Sequence, residues 1–528
     1  MNRPEAAPRR TGGALAVGAG ILLSRVFGLV RQRVISHFLG VGDASDVLSA
    51  ALRIPNALQN LLGEGVLSAS FVPVYARLRA EGREADAGRL ARAVFAALAI
   101  VSSVVVLLGM LAAPWLVAVI APGFSAVKQA HTVELVRIFF PGMGLLALAA
   151  WCLGVLNAHR RYLLSYAAPV LWNVAIIAAV LWGGSMGDPA RTAWLVAVGA
   201  VVGSVLQFAV QVPPVLRVLA PSGTAPVRAE LRVVKANFAP VVLGRGVVQV
   251  SAWVDQLIAS LVVDGAAAVL FFAQNIAMLP VSVFGMSVSV TELTDMAEQR
   301  AEDVAAAIRE RLDTALRSVA YFVVPSSAAL ILLGDVIAGA LLQSGSFGRA
   351  DTIWVWGVLA GASVGLLAGT MGRVYNSAWY ALHDTRTPVR IAVIRIVVAG
   401  VLGSFGALIL PGLAGFDARW GVAALTASAG IGAWVEFALL RSALNARVGA
   451  TGLPAGAVVV LWNAAVVAGA AAFGVKMLLP DLHPVALGAV VLPVFGGVYL
   501  ALTLRAGVPE AYTVVARVRA RLGSGSRP

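Results

Sequence analysis

Charge is the first scarcity. Only 12% of the 528 residues are Asp, Glu, Lys or Arg, 59% are hydrophobic, and the mean hydropathy is +0.87. A soluble domain carries about 25% charged residues, so this chain has too little polar surface to cover itself in water. Cysteine is nearly absent. Cys152 stands alone in an apolar run, which excludes an internal disulfide framework and any cysteine-built metal site. The five histidines, His37, His131, His159, His383 and His483, include no pair at metal-ligand spacing. Also missing are a phosphate-binding P-loop, a nucleophile–base constellation and a soluble catalytic domain. The sequence thus points away from an enzyme and from an ATP-driven pump, and no cofactor is expected. A driving force would come from a cation gradient, the membrane potential or consumption of product.

What the chain does have is hydrophobic length. A transmembrane helix needs about 20 apolar residues to cross the hydrocarbon core. Candidate spans are 14–40, 46–76, 93–121, 132–156, 163–184, 192–216, 236–262, 266–296, 315–344, 354–382, 389–411, 420–444, 456–479 and 485–505. The expected fold is therefore all-α and membrane-integral, with fourteen spans. Its expected parts are an amino-terminal segment 1–13, a lobe over 14–220, a second over 236–445, a helix pair over 456–505 and a basic tail over 506–528.

Loop charge supports this count. With the amino terminus inside, the clusters Arg77–Arg92, Arg160–Arg161, Arg217–Lys235, Arg300–Arg317, Arg386–Arg390 and Arg441–Arg447 all fall on the cytoplasmic side, with the tail. The outer side receives only Lys128, Arg137, Arg191, Arg349, Arg419 and Lys476. Both termini are expected in the cytoplasm, with the chain in the inner membrane. The net charge of +14 is then mostly topology, with some attraction to anionic membrane lipids. It is spread over many short loops, a poor pattern for nucleic-acid binding. The stretch from Gly40 to Pro55 resembles that from Gly265 to Pro280, a hint of internal duplication. Transporters built from such repeats bind substrate between them.

Several charges fall inside proposed spans. Basic ones are Arg25, Arg31, Arg33, Arg53, Arg245, Arg373 and Arg395; acidic ones are Asp46, Glu64, Asp255, Glu292, Asp295, Asp335 and Glu436. Each costs at least roughly 2.5–3.5 kcal/mol at a helix centre, so they must pair, snorkel or line water. "SRVFGLVRQR" puts Ser24, Arg25, Arg31 and Arg33 on one helix around Gly28. "SDVLSAALRIPNALQNLLGEG" adds Asp46, Arg53, Asn56, Gln59, Asn60 and Glu64, with Pro55 expected to break the helix. One reading is a positively lined, water-filled cavity for an anionic substrate. The other is interhelical ion pairing, such as Arg25 with Asp46 or Arg53 with Glu64. Asp255, a lone carboxylate in "SAWVDQLIAS", is the candidate ion site.

The segment from Ser24 to Leu78 resembles the amino-terminal signature of the MurJ (MviN) lipid II flippases of the multidrug/oligosaccharidyl-lipid/polysaccharide exporter superfamily. Ser24, Arg25, Gly28, Arg31, Asp46, Pro55, Asn56, Glu64, Gly65, Phe71 and Pro73 match its pattern in order and spacing. "GVLNAHRRYLLSYAAPVLWN" and "WYALHDTRTPV" are similar to later family segments. The resemblance implies fourteen helices in two lobes around a cationic cavity. It further implies translocation of an undecaprenyl-pyrophosphate-linked peptidoglycan precursor by alternating access. It makes Arg25 and Arg31 pyrophosphate contacts, with Asp46, Arg53, Ser24, Gln59 and Asn275 completing the substrate set. Gly28, Pro55, Asn56 and Glu64 take gating or structural places.

The chain departs from the family where Gln59 and Asn275 replace arginines and Gln32 replaces an aspartate. Arg53, Arg245 or Arg373 would compensate. Span 389–411 also lacks the Asp, Glu or Asn that would join Asp255 in the family's sodium site. Expected partners are the lipid-linked precursor, membrane lipids and cell-wall synthesis proteins. The alternatives are a flippase for another polyprenyl-linked glycan and a non-transporting scaffold for cell-wall enzymes.

Overall fold

The computed structural model describes residues 11–219, 227–280, 304–382 and 384–523. Its regular elements are helices, and the chain divides into two compact units. The first is Met1–Trp253 with Ser344–Ser346; the second is Val254–Gln343 with Phe347–Pro528.

The first unit contains α1 (Thr11–Leu39), α2 (Asp43–Leu62), α3 (Glu64–Ser70), α4 (Val72–Ala80), α5 (Glu84–Leu111), α6 (Ala113–Ile120), α7 (Ala126–Ala158), α8 (Tyr162–Gly184), α9 (Pro189–Val218) and most of α10 (Arg228–Ser260). Its centre is α7, whose most apolar stretch is 72% buried and which packs against α2, α5 and α9. The corresponding stretch of α5 is only 17% buried and exposes Ile100, Leu107, Leu108 and Leu111. Such a face suits hydrocarbon, where exposed apolar side chains cost nothing. Local chemistry starts these helices where they begin. Ser125 Oγ accepts from the Lys128 amide to cap α7, and Asp188 Oδ1 accepts from the amides of Ala190 and Arg191 to cap α9.

The second unit contains the end of α10, then α11 (Ala266–Pro280), α12 (Val304–Leu332), α13 (Gly334–Leu342), α14 (Arg349–Ser363) and α15 (Leu366–Ala381). It continues with α16 (Arg386–Ser404), a π-helical turn (Phe405–Ile409), α17 (Leu410–Ala414), α18 (Gly421–Val448), α19 (Ala455–Leu478), α20 (Pro484–Arg505) and α21 (Pro509–Gly523). Its core gathers Tyr321, Tyr375, Trp379, Leu440 and Tyr499, and the Tyr499 hydroxyl donates to the Tyr321 carbonyl at 2.8 Å.

Among the described residues, nine helical stretches are long and apolar enough to cross a membrane, or ten with the pair α14–α15, bent by 44°. The chain is thus an all-α, multi-pass membrane protein. The other four predicted spans are interrupted by charge, divided into shorter helices or described only in part. Arg25, Arg31 and Arg33 interrupt α1; Arg245 and Asp255 interrupt α10. Span 46–76 is divided into α2, α3 and α4. Span 266–296 is described only to Pro280, so Glu292 and Asp295 lie outside the described residues.

One expectation needs correction: Pro55 does not break its helix. It sits buried inside α2, and the break comes at Gly63, whose backbone is extended. A proline removes one hydrogen bond, a loss that a packed helix tolerates. At Gly63, by contrast, an added β-carbon would collide with the Gln59 carbonyl oxygen. The basic tail carries α21 and buries Ala511 completely. The two stretches that looked duplicated also share a turn: Gly40 and Gly265 both take positive φ, 56° and 86°, shortly before α2 and α11.

Candidate functional site

The charges of the amino-terminal signature are organised within the first unit. On α1, Arg25, Gly28 and Arg31 are three residues apart, which places them within a 120° arc of one helix face. A β-carbon added at Gly28 would meet none of the described residues within 4 Å. The arc between the two arginines is therefore open.

Arg31 is held in place from α8. Its Nη1 donates to Asn173 Oδ1 at 3.0 Å, and its guanidinium lies over the Trp172 ring, 4.8 Å from the centroid. Asn173 Nδ2 in turn donates to the Pro169 carbonyl at 3.2 Å and reaches the Ser24 carbonyl at 3.5 Å. The "P…N" spacing of the α8 segment thus has a physical reason. Asn173 lies one helical turn after Pro169, whose carbonyl orients the amide that orients Arg31. Sequence reasoning quoted Asn173 only as part of a resemblance and gave it no role.

Asp46, on α2, is completely buried and pairs with Lys128 at 2.7 Å. Lys128 Nζ also lies 3.0 Å from the exposed Asp43 and 4.6 Å from the centroid of Phe124. The loop assignment had placed Lys128 outside the spans. Because α7 starts at Ala126, it lies in the first turn instead and is 95% buried. The signal available in sequence was its spacing from the helix-capping Ser125.

Arg53 reaches α10, donating from Nη1 to the Ala252 carbonyl at 3.1 Å. Glu64 is exposed at the start of α3, where the charge of Arg245 acts on it. The Arg245 guanidinium packs against Gly65 so closely that a β-carbon there would overlap it. Gly65 is thus explained by an arginine on another helix. Among the remaining candidates, Asn56 is exposed, and Ser24, Arg25 and Gln59 are half-buried.

Asp255 and Asn275 belong to the second unit. Asp255 is half-buried on α10, while Asn275 is exposed on α11 and donates back to the Phe271 carbonyl of its own helix at 2.8 Å. Also in this unit, Arg395 forms a 3.0 Å ion pair with the buried Glu436, and Arg373 is exposed nearby. The "DTRTPV" segment is a helix start. Asp384 accepts from the amides of Thr387 at 3.0 Å and Arg386 at 3.1 Å, and from Thr387 Oγ1 at 2.9 Å. Arg447 adds a 3.0 Å ion pair and stacks on Trp379. These bonds, the Thr387 amide first, hold the Asp384 carboxyl below the usual carboxylate range.

A family model described as "Lipid II flippase MurJ" matches residues 35–494, beginning just after Arg31. The chain is 32% identical over 395 residues to the probable lipid II flippase MurJ of Rhizobium tropici, covering 74% of each protein. It is 30% identical over 443 residues to the lipid II flippase MurJ of Burkholderia cenocepacia, covering 82% of this chain and 83% of the relative. Among solved structures it resembles lipid II flippase MurJ in an inward closed conformation, with a TM-score of 0.73 at 21% identity over 93% of this chain and 98% of that one. An inward-facing multidrug resistance MATE transporter of the MOP superfamily gives a TM-score of 0.63 at 14% identity, covering 82% of this chain and 98% of that one. These two likenesses concern the fold.

Proposed function

The chain belongs to the lipid II flippase MurJ family, and we propose that it carries lipid II from the inner to the outer leaflet of the cytoplasmic membrane. Both termini lie in the cytoplasm in this reading, as the loop charges direct. The transport cycle alternates access between the two faces, driven by the membrane potential, a cation gradient or removal of product. Enzymes that polymerise the precursor at the outer face are the partners such a reaction needs.

The observation that carries the reading is the oriented guanidinium of Arg31 beside the open arc at Gly28. A pyrophosphate entering low dielectric needs its charge met by fixed donors. Arginine meets it best, because its planar fork matches phosphate oxygens bidentately. The bond to Asn173 takes one of five guanidinium N–H donors and fixes the plane of the others. In this proposal Arg25 and Arg31 bracket the pyrophosphate, Gly28 gives it room, and Ser24, Arg53 and Gln59 lie along its path. Asp46 keeps the helix ends in register through Lys128. Arg245, exposed beside Glu64, supplies positive charge where Gln59 has none.

Binding by the purified protein tests this. A polyprenyl-pyrophosphate-linked glycan should bind at least tenfold more tightly than its monophosphate analogue, and Arg31→Ala should erase the difference. Equal binding of the two lipids by the wild-type protein would rule out the pyrophosphate site.

A further inference from the structure

The second unit holds a cavity of about 410 Å3, lined by both charged and apolar residues, that the transport reading does not use. It lies where α13 and α14 meet the end of α19 and the start of α20. Two charges of each sign line it. Lys476 forms a 2.6 Å ion pair with Asp335, whose other carboxylate oxygen is buried with no hydrogen-bond partner among the described residues. Arg349 and Asp481 are exposed and have no ion pair among the described residues. Around them stand Met477, Leu482 and Ile353, all exposed, Met477 to 61%.

Position and lining together define the ligand. α19 and α20 are both span-length apolar helices, so the turn joining them lies at the depth of lipid headgroups. A soluble ligand has no use for an exposed apolar rim, whereas a lipid sets its glycerol and first methylenes there. Two cations and two carboxylates suit a headgroup that is itself zwitterionic. We propose that this cavity binds the phosphoethanolamine headgroup of a membrane phospholipid, with Arg349 and Lys476 facing the phosphate and Asp481 facing the ammonium. The ammonium has three N–H donors for carboxylate oxygens. A trimethylammonium headgroup has none, and a glycerol headgroup has no cation. The loop-charge pattern makes this the outer leaflet, and the site is separate from the proposed pyrophosphate site in the first unit.

The test is lipid retention and thermal stability of the purified full chain in detergent. The additions are phosphatidylethanolamine, phosphatidylcholine, phosphatidylglycerol, water-soluble phosphoethanolamine and inorganic phosphate. The variants are Arg349→Gln and Asp481→Asn, both at exposed positions. Phosphatidylethanolamine should be retained at a mole fraction at least tenfold below that needed for the other two lipids. Asp481→Asn should remove the preference over phosphatidylcholine, and Arg349→Gln should weaken all three. Equal retention of the three lipids by the wild type, or an unchanged preference in both variants, would overturn the proposal. Stabilisation by phosphoethanolamine or inorganic phosphate equal to that by the lipid would overturn it too, by assigning the cavity to a soluble ligand.

Discussion

Lys128 Nζ lies 2.7 Å from Asp46 Oδ2, and both side chains are buried, at 7% and 1% exposure. The pair ties the first turn of α7 to the first turn of α2. Removing one partner of a buried ion pair leaves the other charge uncompensated, at a cost of about 3–5 kcal/mol. Lys128→Met should therefore lower the unfolding temperature sharply, and adding Asp46→Asn should recover most of the loss. Thermal unfolding of the single and double variants in detergent checks this. A double variant no more stable than Lys128→Met would contradict the pairing.

Asn173 acts on the proposed site through Arg31. Asn173→Leu keeps the branched shape of the side chain and removes the acceptor of the 3.0 Å bond. The expected result is at least a tenfold loss of precursor binding with the protein still folded. Arg31→Lys should fall between wild type and Arg31→Ala, because it keeps the charge but not the planar fork. The binding assay, run on samples matched by size-exclusion profile, separates these outcomes.

Gly28 offers a test that spares the fold. Among the described residues nothing lies within 4 Å of a β-carbon built there, and replacing a mid-helix glycine with alanine stabilises by roughly 0.5–1 kcal/mol. Gly28→Leu should keep or raise the unfolding temperature while cutting transport at least tenfold, because it fills the arc between Arg25 and Arg31. Full transport by this variant would show that the arc is not on the substrate path.

Asp384 links stability to pH. Its carboxyl is held below its usual range by the Thr387 amide first and also by Arg447, so its folded value is lower than its unfolded one. Its contribution is complete above the unfolded value of about 3.9 and is lost as pH falls through the lowered folded value. Asp384→Asn should lower the unfolding temperature by a few degrees at pH 7, and the gap to wild type should close at the acid end. Unfolding temperatures of both proteins across a pH series provide the check.

Much of the fold was legible because lipid imposes a simple rule. Runs such as 192–216 and 456–479 must be helical, since a backbone in hydrocarbon has to satisfy its own hydrogen bonds, and both are. Pro55 misled, and the break at Gly63 went unread, because a helix end depends on contacts as well as residue type. The steric demand at Gly63 comes from the Gln59 carbonyl, a local clash that composition does not display. At the candidate site, Arg25, Arg31 and Asp46 stood out because charge is rare in these spans. Their partners did not. Asn173 is 142 residues from Arg31, and Lys128 is 82 from Asp46. Neither is unusual for its own segment, so only tertiary packing brings each to its charge.

The most direct measurement is the leaflet distribution of lipid II in cells depleted of their own flippase and supplied with this protein. Outer-leaflet lipid II should be restored by the wild-type chain. Arg31→Ala, present in the membrane at equal amount, should leave the precursor trapped in the inner leaflet. Restoration by Arg31→Ala to the wild-type level would contradict the assigned site, and no restoration by the wild-type chain would contradict the function itself.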